Sequence, residues 1–172
     1  MELTESQQRI LKPFVDATVT CLKTMGGLTA TPGRGSREEA DAFWANDYVF
    51  VIDTQGEIEG HIVVHYRMEN TLDIGNKIRA GILGDDCTDA TEIDDEIIEA
   101  LAEFSNTMVG RAMRHLESQH TLVSFSPPRF IDNAEKTEFL KKGVQDVLTI
   151  PLNIDGLGQF QVNYLIQCIT EL

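Results

Sequence analysis

The stretch Thr91–Leu116, TEIDDEIIEALAEFSNTMVGRAMRHL, decides how the rest of the chain can be arranged. Its apolar residues Ile97, Leu101, Phe104, Met108 and Ala112 recur every three or four positions, which at about 100° per residue puts them on one side of a helix. A stripe that wide has to be buried against another layer. Thr91-x-x-Asp94 opens the segment in the form of a capping box, and the carboxylates that follow favour the positive end of the helix dipole; the spacing predicts a helix over about 92–117. The opposite side carries Glu99, Glu103, Asn106 and Gly110, within about 60° of one another on the solvent face. An acidic stripe therefore gives way to an amide and then to a residue without a side chain. Glycine in an exposed helix costs roughly 1 kcal/mol relative to alanine, so Gly110 points to close approach by another backbone.

Working outward, Thr4-x-x-Gln7 and the helical spacing of Ile10, Leu11, Phe14, Val15, Val19, Leu22 and Met25 predict a first helix over about 5–24. Pro13 should kink it or start a second segment, and Gly26-Gly27 ends it. The stretch to Gly35 reads as loop, and Ser36-x-x-Glu39 as the cap of a short helical turn. Tyr48, Phe50 and Ile52 alternate, then Thr54-Gln55-Gly56-Glu57 turns the chain, then Ile58, Gly60, Ile62, Val64 and Tyr66 alternate again, which is a hairpin. A helix over about 69–83 follows. After the central helix, Leu122 to Ile131 reads as a strand broken by Pro127-Pro128, and two prolines without ladder donors place it at a sheet edge or a bulge. A second hairpin closes the chain, with Leu148, Ile150, Leu152 and Ile154, a turn at Asp155–Gly158, and Phe160 to Cys168. Helices and hairpins in this order predict an α+β fold, an antiparallel-rich sheet covered on one face by helices, in a single domain over 1–172.

The chain has 172 residues, 42% of them hydrophobic, enough for a core that needs neither disulfide nor structural metal. Its formal net charge of −14 argues against nucleic acid and anionic membrane as partners. Nine carboxylates and no Lys or Arg lie between Asp85 and Glu103, so much of that charge sits on the lead-in to the central helix and on its exposed face. No apolar run is long enough to span a membrane, and the start, Met1-Glu2-Leu3-Thr4-Glu5-Ser6, lacks a secretory pattern, so a cytoplasmic protein is expected. Cys21, Cys87 and Cys168 are odd in number and far apart, as isolated thiols are.

Several ordered pieces carry a family resemblance: Lys12-Pro13-Phe14 with Leu22 and Met25; Gly56-Glu57-Ile58-Glu59-Gly60; Ala102-Glu103-Phe104-Ser105-Asn106-Thr107-Met108-Val109-Gly110; Ser126-Pro127-Pro128; and Ile150-Pro151-Leu152. With these the sequence resembles the CheX branch of the CheC/CheX/FliY family of chemotaxis phosphatases over roughly residues 10–168. The resemblance implies a CheC-like fold, a homodimer with one site per chain, and hydrolysis of the aspartyl phosphate of a CheY-type response-regulator receiver. The family signature is an acidic or serine position, three residues, Glu, two residues, Asn, which falls here on Glu99, Glu103 and Asn106. Asn106 would be the catalytic amide that orients the attacking water, and Glu103 the carboxylate that docks on the receiver's lysine. Glu99 stands where serine or aspartate is common and, with Gly110, would face the partner, Gly110 leaving room for its loops. The chain would need no cofactor of its own, because the receiver brings Mg2+.

An acyl phosphate is already reactive, so positioning and charge stabilisation suffice, and an amide can accept from water while donating to a phosphoryl oxygen. No other Glu of the chain has an Asn three positions later, the first helix included. The same residues would also suit a non-catalytic receiver-binding or assembly module. The remaining candidates read as structural. His61 and His65 lie on one face of a strand about 13 Å apart, too far to share a metal, and are expected to be solvated. His115 is placed near the apolar side of the central helix and His120 in the turn after it. Gly33-Arg34-Gly35 reads as loop, Ser124 and Ser126 sit in no nucleophile elbow, and Asp85, Asp86 and Asp89 lack the spacing of a calcium loop.

Overall fold

The computed structural model describes residues 3–45, 48–84, 88–132 and 134–169. Three helices, α1 (Glu5–Gly26), α2 (Met68–Leu83) and α3 (Asp95–Ser118), pack on an antiparallel eight-stranded sheet. Its strands are β1 (Ala30–Pro32), β2 (Ser36–Glu38), β3 (Tyr48–Gly56), β4 (Ile58–Tyr66), β5 (Val123–Phe125), β6 (Arg129–Ile131), β7 (Asp146–Ile154) and β8 (Gly158–Ile169). The order across the sheet is β1-β7-β8-β4-β3-β5, with β2 also on β7 and β6 also on β3. The two long hairpins thus lie side by side at the centre, and pairs of short strands line both edges.

This arrangement contains a repeat. Helix, two short strands and a hairpin occur once as α1-β1-β2-β3-β4 and again as α3-β5-β6-β7-β8, with α2 between them. Each half sends its short strands to the other half's hairpin: Ala30 pairs with Ile154 and Ser36 with Thr149, while Thr54 pairs with Phe125 and Val49 with Ile131.

The helices form for the reasons their sequences suggest. Thr4 and Gln7 make a reciprocal capping box, and Gly27 closes α1 in the left-handed conformation, φ 63°. α1 runs through Pro13 without a second segment starting there. The cap of α3 differs from expectation: Asp94, not Thr91, accepts from the Ile97 backbone N–H at 2.9 Å, so the helix starts three residues later. Ile97, Leu101, Phe104, Met108 and Ala112 are all fully buried, in the core that includes Phe50, Ile62, Val64, Tyr164 and Phe160. Each such large apolar side chain contributes about 1.5–3 kcal/mol by leaving water.

Elsewhere the structure corrects the sequence reading. The stretch up to Gly35 is not all loop, because β1 lies in it, and Ser36 begins β2 rather than capping a turn; a single 3-10 turn follows at Ala40–Ala42. Both strands are held by β7, more than a hundred residues later, which no local pattern can announce. The Leu122–Ile131 segment is at the edge as expected, split by Pro127-Pro128 into β5 and β6; across the gap Ser126 Oγ accepts from the Asp53 N–H at 2.9 Å.

The histidines also move. The sheet face away from the helices is covered by Phe43, Ala45 and Leu140, which bury Val49, Val51, Val63, Val147 and Leu165. His65 belongs to this buried layer, edge-on to Phe43 at 5.7 Å between ring centroids, and its burial pulls the imidazole down to about 3. His61 is mostly covered and its Nδ1 lies 2.8 Å from Asp53. Neither is solvated. His115 is exposed rather than near the core, and His120 sits in the following turn with φ 66°.

Candidate functional site

The site is built on α3, whose buried side fixes its rotation about its own axis and so its outward stripe. Glu99, Glu103 and Asn106 are exposed along that stripe, and Gly110 is half-buried at its end. Residues three and four apart on a helix have Cβ atoms about 5–6 Å from each other, so Glu103 and Asn106 can touch one ligand together. Glu103 is held: the Thr107 hydroxyl, one turn on, donates to its Oε1 at 3.1 Å. The Asn106 amide has no hydrogen bond to another described residue, which leaves an acceptor oxygen and two N–H donors facing out. Among the described residues no group of acidic, histidine or cysteine side chains could hold a metal ion.

A Cβ at Gly110 would lie 3.6 Å from the Phe125 ring and 4.0 Å from Arg114, ordinary contacts, so no backbone of this chain approaches it. Among the glycines within helices, the one that admits a neighbouring backbone is Gly81 of α2, where a Cβ would fall 1.6 Å from the Met25 carbonyl oxygen at the end of α1. Gly110 instead keeps the stripe low at its C-terminal end.

Residues of α2 that sequence reasoning passed over set the other end. Arg79, largely buried, pairs with Glu96 at 2.7 Å and also donates to the Thr88 carbonyl. Asn76 donates to the Ala90 carbonyl and accepts from its N–H, at 2.9 and 2.8 Å. These bonds fasten the acidic lead-in to α2. Of its carboxylates, Asp89 and Glu92 are exposed and Asp94 caps the helix, while Asp85 and Asp86, like Cys87, lie outside the described residues. An Arg three residues before Ile82, at the edge of the Ile74–Ile78–Ile82 stripe, was the available signal, legible only once α3 is known to lie alongside.

A family model for the chemotaxis phosphatase CheX matches residues 48–153, more than half of the chain, from β3 through β7 and across the whole stripe. The chain belongs to the CheX family. Its likeness to solved structures agrees in fold. The chemotaxis protein CheX of Desulfovibrio desulfuricans is 23% identical, with TM-score 0.71 over 91% of this chain and 98% of that one. A CheC-like protein from Shewanella sp. PV-4 is 18% identical, with TM-score 0.73 over 92% and 97%. The CheX–CheY–BeF3–Mg2+ complex of Borrelia burgdorferi matches at 21% identity and TM-score 0.67, over 92% and 97%. No curated protein matches the sequence.

Within this CheX fold the two halves are unequal. On α1, the counterpart of α3, the exposed side carries Arg9, Lys12 and Asp16, with Lys12 paired to Asp16 at 2.6 Å. A lysine and an arginine there cannot present the Glu-x-x-Asn pattern, so that pattern occurs on one helix of the pair.

Proposed function

We propose that this CheX-family chain is a phosphatase of phosphorylated CheY-type receivers, acting through Asn106 and Glu103. The carrying observation is that Glu103 and Asn106, the only Glu-x-x-Asn pair of the sequence, stand exposed on one face of a helix whose other face is wholly buried. The description of the family as chemotaxis phosphatases supports the reading, and the Borrelia complex of a CheX with CheY supports the choice of partner.

In the step proposed, the oxygen of water attacks phosphorus and the bond from phosphorus to the receiver's aspartyl oxygen breaks. The products are a carboxylate, inorganic phosphate and a proton released to solvent. Asn106 accepts a hydrogen bond from the water through Oδ1 and donates through Nδ2 to a phosphoryl oxygen, fixing the in-line geometry that makes attack by the held water effectively unimolecular. A carboxylate at that position would repel the phosphoryl group. Glu103, its carboxylate held by Thr107, pairs with a lysine of the receiver and sets the orientation of the two proteins. Mg2+ would come with the receiver and neutralise charge on the phosphoryl group.

Phosphate release from receivers phosphorylated by acetyl phosphate tests this. Asn106→Ala should cut turnover by at least about 100-fold, the usual size of a positioning and charge-stabilising contact; equal rates for variant and wild type would sink the mechanism. A second reading, a receiver-binding module without hydrolysis, is favoured by Glu99, a long carboxylate on a face that must meet an acidic receiver pocket. It predicts receiver affinity with no phosphate release. As a further part of the proposal, the chain would work as a homodimer, for which sedimentation at micromolar concentration is the measurement.

A further inference from the structure

Between the last turn of α2 and the first turns of α3 lies a groove of about 330 Å³ lined by Arg79, Ile82, Leu83, Glu96, Glu99 and Ala100. Three observations give it a chemistry. Ile82 is 44% and Leu83 66% exposed, two large apolar side chains side by side at a helix end. The Arg79 side chain is only 7% exposed and its charge is met by Glu96, so it offers an incoming anion no free cation. Glu96 is neutralised by Arg79, whereas Glu99 has no ion pair among the described residues and stands on the groove wall with its charge unmet. An anionic occupant is repelled by Glu99. What fits is an apolar side chain against Ile82 and Leu83 and a neighbouring cation for Glu99.

The groove is continuous with the proposed phosphatase site, because Glu99 belongs to both. It lies seven residues before Asn106, about 10 Å along the helix axis. A specific interface covers about 800 Å² on each partner, a patch roughly 30 Å across. A receiver seated on Asn106 therefore covers this groove as well. We propose that the α2–α3 groove is a second docking point for the receiver, accepting an apolar side chain flanked by Lys or Arg, with Glu99 selecting among receivers. The proposal rests on the receiver being the partner of this face, and it adds the residues that discriminate one receiver from another.

The test uses a panel of purified receivers, with acetyl phosphate for turnover, and with Mg2+ and beryllofluoride for binding. Ile82→Ser combined with Leu83→Ser, both exposed positions, should raise KM and the Kd for the activated receiver about tenfold, the effect of losing one well-packed apolar contact, while kcat at saturation stays near wild type. Glu99→Lys should reorder the panel, and a receiver whose groove-facing Lys or Arg is changed to Glu should regain affinity for that variant. Unchanged KM and Kd in the Ile82/Leu83 variant, with Asn106→Ala still inactive, would overturn the groove and leave the phosphatase reading standing. Loss of kcat alone would also overturn it. No turnover by wild type on any receiver, but binding weakened by the groove variant, would remove the phosphatase reading and keep the docking point. Thermal melts of each variant separate these effects from loss of fold.

Discussion

At the scale of single residues, the proposed mechanism gives side chains one turn apart on α3 different work. Asn106 would act because it is neutral and bifunctional, and Glu103 because it is charged and held by Thr107. Asn106→Asp, which keeps the shape and changes only the charge, should therefore lose nearly as much turnover as Asn106→Ala, whereas Glu103→Gln should raise KM more than it lowers kcat; initial rates over a range of receiver concentration distinguish the two. A buried residue far from the site makes a second prediction. Burial pulls His65 down from 6.5 to about 3, so the unfolded chain binds a proton that the folded chain refuses. Its contribution is complete above about pH 6.5 and is lost as pH falls from there toward 3, at up to about 1.4 kcal/mol per pH unit. Urea midpoints between pH 7 and 4 should fall more steeply for wild type than for His65→Leu, and parallel slopes would assign the acid lability to other groups. Periodicity put Glu103 and Asn106 on one exposed helical face, and the resemblance to the CheX branch singled them out from the other residues of that face. The fate of His65 was not legible in the sequence, because Phe43, whose ring meets it, comes from a loop before the strands.

At the scale of elements, the helix–helix contacts explain which glycines matter. Gly81 lets the end of α1 lie against α2, and an added methyl group would sit inside the Met25 carbonyl oxygen. Gly81→Ala should therefore destabilise by about 3 kcal/mol, the upper end of overpacking costs. Gly110→Ala should do the opposite: with only ordinary contacts around the new methyl group, α3 gains up to about 1 kcal/mol of helix propensity. If Gly110 serves the receiver, that more stable variant should nevertheless turn over phosphorylated receiver more slowly, and melting temperature with turnover measured together reads both effects. α1, α3 and the two hairpins were readable from periodicity, since each carries its own pattern within a few turns or an uninterrupted alternation. β1 and β2 were not, because three-residue strands such as Ala30–Pro32 have no period to detect and exist only through β7.

At the scale of the whole molecule, the exchange of edge strands binds the two halves into one sheet. β1 and β2 complete the hairpin of the second half, and β5 and β6 that of the first. Neither half can leave without exposing the other's ladder hydrogen bonds, so unfolding followed by far-UV circular dichroism and by hydrogen exchange in β3 and β7 should give one coincident transition. Separate transitions would mean that the halves are independent units. The sequence by itself determined the α+β class, the buried side of α3 and therefore the outward stripe of Glu99, Glu103, Asn106 and Gly110, because helical and strand periods are local properties of the chain. Only the tertiary structure decided what surrounds that stripe: Arg79, Ile82 and Leu83 at one end, Phe125 and Arg114 at the other, and a covered face behind the sheet. Those neighbours come from α2, from the far end of α3, from β5 and from distant loops, and only packing, which acts between residues remote in sequence, brings them to the helix.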